Sequence, residues 1–99
     1  MTDPKFIQIL GMLEREAQRA IDGYIKDLQH NPLARHPDDL TRHQGMLQEV
    51  RRIYRVLDHG AIEDINGFLA RAAMVSRGEP MRAIAYLTIM HEWEVAKRR

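Results

Sequence analysis

Apolar residues recur at spacings of three and four along most of this chain, and the strict alternation of a half-buried strand is nearly absent. Phe6, Leu10, Leu13, Ala17, Ala20 or Ile21, Tyr24 and Leu28 fall on one stripe. Glu14, Arg15, Gln18, Arg19, Asp22 and Lys26 fall elsewhere. This is the pattern of a helix with one buried face. Thr2 or Asp3 offers a side-chain acceptor to the free amides of a first turn, and Pro4 sits where a helix tolerates proline. The spacing predicts a first helix over 3–31, ended by His30-Asn31-Pro32 because the residue before a proline is pushed out of the helical region. About 25 helical residues span roughly 38 Å, longer than a compact domain of this size is wide, so an elongated shape is expected.

After a loop carrying Pro32 and Pro37, Asp38 or Asp39 is the expected cap of a second helix over 38–59. Its apolar positions are Leu40, Leu47, Val50, Ile53 or Tyr54, and Leu57, and Gly60 is expected to close it as a left-handed cap. Ile62, Ile65, Phe68, Leu69 and Ala72 or Ala73 predict a third helix over 61–76, with Glu63 and Asp64 in its first turn favouring the helix dipole. Arg77-Gly78-Glu79-Pro80 reads as a stop and a proline-led start. A fourth helix over 80–97 then carries Ile84, Leu87, Met90 or His91, and Trp93. The predicted fold is all-α: one domain of 99 residues, built as a long antiparallel helical hairpin followed by one or two shorter helices, with about three-quarters of the residues helical.

Composition narrows the classes. Apolar residues make up 44% and charged residues 29%, close to globular averages, so the chain is expected to fold. Six methionines beside few aromatics point to an aliphatic interior with thioethers as gap-fillers. There is no cysteine, which removes disulfides, thiolate metal sites and cysteine nucleophiles. The start, Met1-Thr2-Asp3-Pro4, lacks a basic stretch followed by an apolar one, and the longest nearly apolar run is 83–90. Neither a signal peptide nor a membrane span is expected. Net charge is +1 and no third of the chain departs from neutrality by more than one charge, unlike the one-sided basic excess of broad nucleic-acid binders.

Candidate chemistry is sparse. The histidines, His30, His36, His43, His59 and His91, give two pairs with helix-ligand spacing, Asp39 with His43 and His91 with Glu94. Neither is joined by a second matching pair, so no metal or other cofactor is expected. Asp38-Asp39 and Glu63-Asp64 read as helix-end acids, Glu92 and Glu94 as solvent-facing. Each glycine stands alone, so no phosphate-binding loop is present. No catalytic residue is nominated and no enzyme activity is expected. Gly11, Gly23 and Gly45 lie inside predicted helices, where glycine costs up to about 1 kcal/mol against alanine; such positions often mark close approach of another helix.

Two surfaces remain. The last helix is apolar on more than one face, which nominates Met81, Tyr86, Ile89, Met90 and Trp93 for contact with a protein partner or a second copy. Arg51, Arg52 and Arg55, with Lys97, Arg98 and Arg99, are candidates for gripping nucleic acid or an acidic partner, with Glu49 partly neutralising the arginine flank. A helix-turn-helix is excluded, because its helices would be joined by three or four residues.

The run Arg42-x-x-Gly45-x-Leu47-x-x-Val50-Arg51, following a charged amphipathic helix, resembles the small helical-hairpin proteins encoded among bacteriophage head and tail genes. These often carry Arg-x-x-Gly-x-x-x-x-Leu-Arg in the second helix. The resemblance spans residues 6–57. It implies a virion or virion-assembly component without catalysis, resident in the host cytoplasm or the particle. The expected function is therefore a non-catalytic structural or adaptor protein acting through helices. The alternative is a small regulator or inhibitor that contacts nucleic acid or a nucleic-acid enzyme through its arginines.

Overall fold

A computed structural model describes residues 1–32 and 37–99, and every side chain among these except those of Pro37 and Asp38. Four helices, α1 (Pro4–His30), α2 (Pro37–His59), α3 (Ile65–Val75) and α4 (Pro80–Lys97), hold 83% of the described residues, and no strand occurs among them. The all-α class follows from the three-and-four spacing. None of the helices among the described residues is long and apolar enough to cross a membrane.

The helix ends show where local chemistry set the boundaries. Asp3 caps α1 by accepting from the Lys5 amide at 2.9 Å, with Pro4 in the first position. Thr2, the other expected cap, works elsewhere: its hydroxyl accepts from the Ile62 amide at 2.9 Å, tying the segment between α2 and α3 across the start of α1. α1 ends at His30, and Asn31 is extended, as the following Pro32 demands. α2 begins at Pro37, one residue ahead of the expected Asp38, and its cap position and the preceding loop lie outside the described residues. Gly60 is not a left-handed cap, since no glycine among the described residues has positive φ. α3 begins at Ile65 rather than residue 61. The Asp64 carboxylate accepts from the Gly67 amide at 2.9 Å, which makes Asp64 the cap and leaves Glu63 outside the helix.

Packing departs from a hairpin with appendages. Glu14 meets Arg51 at 3.7 Å and the Tyr24 and His43 rings lie 6.2 Å apart, so α1 and α2 run in opposite directions where they touch. α4 lies against both of them. Phe6 meets Trp93 edge-on at 5.7 Å, and Gly45 faces the Met81 backbone, where an added Cβ would lie 3.4 Å away. α4 is therefore antiparallel to α1 and parallel to α2, and the three form one core. Among the described residues, α4 is the one helix that α3 packs against.

That core comprises Phe6, Ile9, Leu10, Leu13 and Ala17 of α1, Met46, Leu47, Val50 and Ile53 of α2, and Ala85, Tyr86, Ile89 and Trp93 of α4. Ile62, Ile65 and Leu69 extend it beneath α3. The apolar stripe of α1 outruns this core, leaving Leu28 41% exposed and, on its flank, Ile25 49% exposed. On α4 the buried stripe is 85/86/89/93, one position off the expected one, so Leu87 faces outward. The molecule measures 46 × 28 × 28 Å, elongated along α1.

The Asp64 cap yields a coupled prediction. A Cβ on Gly67 would collide with the Asp64 carboxylate, so in Gly67→Ala the lost cap, about 1 kcal/mol, offsets a helix-propensity gain of up to about 1 kcal/mol. Thermal denaturation should show little change in that variant and a loss of about 1 kcal/mol in Asp64→Ala. With the cap already gone, adding Gly67→Ala to Asp64→Ala should stabilise.

Candidate functional site

Glu49 lies in the buried stripe of α2, three residues after Met46 and four before Ile53, and is only 2% exposed. One of its oxygens, Oε1, gathers most of the polar contacts between α2 and α4. Tyr86 donates its hydroxyl at 2.8 Å and Arg82 donates Nε at 3.2 Å. These two donors stand one turn apart on α4, so a single oxygen reads both. Arg52, one turn along α2, brings Nε to 3.1 Å of the same oxygen, yet its N–H finds no acceptor among the described residues. That contact is ionic and not a hydrogen bond. Glu79 completes the group from the start of α4, accepting from Arg82 Nη1 at 3.1 Å.

The electrostatics follow from this geometry. Burial, reinforced by the hydrogen bond to the Glu49 carboxylate, pushes the Tyr86 hydroxyl up to about 12. The hydrogen bond to Glu79 holds the Arg82 guanidinium protonated above its ordinary value, against the opposing pull of burial. At the outer end of α4, the Lys97 ammonium, through its hydrogen bond, holds the Glu94 carboxyl below its usual range. The Glu49 carboxylate thus joins α2 to α4 through one phenol and one guanidinium.

The residues nominated for partner contact divide. Tyr86, Ile89 and Trp93 are buried inside the chain's own core, a correction with a simple cause: α4 spends its apolar face on α1 and α2. Met81 and Met90 remain half-buried, Met81 beside Gly45. The Trp93 indole N–H has no acceptor among the described residues.

The basic set is also split. Arg51 turns to Glu14 of α1 and Arg52 to Glu49. Arg55, Arg98 and Arg99 are exposed. Lys97 bonds Asn66 and Glu94 and lies 5.6 Å from the centroid of the Trp93 ring. Arg99 lines a groove with Lys5 and Met12, whereas Arg51 sits by Glu14. At 100° per residue those are opposite flanks of α1, so the six cations form no continuous face.

Of the histidine pairs, Asp39 takes Arg42 at 3.4 Å while His43 turns its ring to Tyr24, and Glu94 takes Lys97 at 2.8 Å. Among the described residues no three of His, Asp and Glu gather as metal ligands. His36 lies outside the described residues.

Sequence reasoning missed Glu49. The signal was its register: a charged residue inside the 46/50/53 stripe, with Arg82 and Tyr86 four apart on another helix. No protein-family model, curated protein or solved structure matches this chain.

The Tyr86 anchor predicts an alkaline limit to stability. The folded state holds the phenol protonated while the unfolded chain releases its proton near 10, so the contribution is complete below pH 10 and is lost as pH rises towards 12. Absorbance titration should place one tyrosine's ionisation well above that of an exposed phenol. Tyr86→Phe should remove that late step and cost about 1.5–3 kcal/mol by urea denaturation at neutral pH.

Proposed function

We propose that this chain is a non-catalytic structural or adaptor protein that works by helix-mediated contact with another protein or a second copy. The observation that carries the reading is the apolar stripe of α1, which continues past the core to exposed Leu28, with Ile25 exposed on its flank. Met74 and Val75, 69% and 72% exposed at the end of α3, and Leu87 on α4 add further apolar surface. Apolar side chains held on rigid helices outside the core are what a helical partner covers. The buried cluster around Glu49 supports the same reading, since Glu49 is engaged by its neighbours instead of being free for chemistry. The resemblance in residues 42–51 extends the proposal to a virion or virion-assembly component of a bacteriophage, acting in the host cytoplasm or the particle.

Sedimentation of the purified protein, alone and with candidate particle proteins, tests this. Association is expected, and replacing Ile25 and Leu28 with aspartate should abolish it. Because both residues are already exposed, stability should change by no more than about 0.5 kcal/mol for each. A stable monomer that binds no particle protein would defeat the reading.

A further inference from the structure

α1 and α2 leave an open groove along one side of their contact, and its two ends differ in chemistry. Gln18 and Ile21 line it from α1, and Gln48, Arg51 and Arg55 from α2. Arg51 and Arg55 stand one turn apart and mark a basic end. Glu14 offsets Arg51 at 3.7 Å, while Arg55 has no ion pair among the described residues. Along α1, Glu14, Gln18, Ile21, Ile25 and Leu28 succeed one another at steps of four and three, which keeps them on one side of the helix. The groove wall therefore runs on to exposed Ile25 and Leu28, its apolar end.

The outward side of α3 carries the complement in the same order. Glu63 and Asp64 are exposed at its start. Gly67, Arg71 and Met74 follow at steps of four and three, and Met74 and Val75 stand 69% and 72% exposed at its end. The start of α3 stays acidic with its neighbours counted: Asp3, Glu63, Asp64 and Glu94 outnumber the Met1 ammonium on Glu63 and the Lys97 ammonium on Glu94. The spacings also agree. From Asp64 to Met74 the helix rises about 15 Å, and from Glu14, level with Arg51, to Ile25 it rises about 17 Å.

We propose that α3 of one copy of this chain docks into the α1–α2 groove of a second copy, Glu63 and Asp64 on Arg51 and Arg55, Met74 and Val75 on Ile25 and Leu28. Between these ends Arg71 comes level with Asp22, whose carboxylate accepts from Gln18 at 3.0 Å through one oxygen and keeps the other for a guanidinium. Groove and α3 are different surfaces of the chain, so the contact is heterologous and copies add head to tail, into a ring or a filament. This rests on the reading that the chain works by helix contact and names a second copy as its partner.

Sedimentation of the full chain over a range of concentrations tests it. The average mass should rise with concentration, and less so in high salt, which screens exposed charges. Arg51→Glu with Arg55→Glu spoils the basic end of the groove; Met74→Asp with Val75→Asp spoils the apolar end of α3. Each double variant by itself should sediment as a monomer. Mixed, the two should form a one-to-one complex and nothing larger, because the intact α3 of the first fits the intact groove of the second and no other pairing survives. All four side chains are exposed, so circular dichroism should show both variants folded. Should either fail to fold, a charge swap decides: Arg71→Glu should weaken self-association, and adding Asp22→Arg to the same chain should restore it. Mass independent of concentration, growth that survives either double variant, or a mixture that stays monomeric would each overturn the proposal. A chain that stays monomeric yet binds a particle protein would overturn this inference and leave the adaptor reading standing.

Discussion

A carboxylate withdrawn from water must find partners or unfold the protein around it, and Glu49 finds them on the neighbouring helix. Desolvating such an ion costs several kcal/mol, which attraction repays only when geometry is good and other hydrogen bonds complete it. Tyr86 and Arg82 meet that condition because both project from the same face of α4 onto one oxygen. The contact thereby sets the sliding position of α4 along α2. A slip of one turn would leave Glu49 level with only one of the two donors, since Arg82 and Tyr86 stand one turn apart. Apolar packing by Ala85 and Ile89 tolerates small shifts; an ion pair with a phenol does not. The dense contact between Gly45 and Met81 lies one turn away and depends on the same alignment.

The placement of α4 accounts for what the chain shows outside. Once Tyr86, Ile89 and Trp93 are committed inward, the outer side of α4 carries Leu87 and half-buried residues, and α1 is left longer than the surface available to cover it. The exposed apolar ends are thus a by-product of a short helix docking on long ones. Cations are distributed by the same docking: Arg52 and Arg82 are drawn into the interior group while Arg51 is held on the far side by Glu14.

The helices themselves were legible because three-and-four spacing, prolines at Pro4 and Pro80 and the Asn31-Pro32 stop are local signals that tertiary contacts did not override. α4 was read with its bounds intact and its buried face displaced by one position, since a helix apolar on several sides has no single stripe to read. Two boundaries failed for identifiable reasons. Asp64 was read as a first-turn acid because an N-cap and a dipole partner look alike in one dimension. Gly60 was read as a left-handed cap, whereas the bond from Ile62 to Thr2 draws the chain away by another route. Glu49 was illegible as a contact centre because its partners lie more than thirty residues downstream; only its intrusion into an apolar stripe hinted at burial.

Among the described residues, α4 is the one helix that α3 packs against, while the segment leading into α3 is held to the start of α1 by the bond from Ile62 to Thr2. Whatever happens along the outward side of α3, an altered residue or a bound chain, therefore reaches α1 and α2 by two routes, through α4 and through that tether. The short helix is in that sense a handle, with α4 as its shaft and the tether as its hinge.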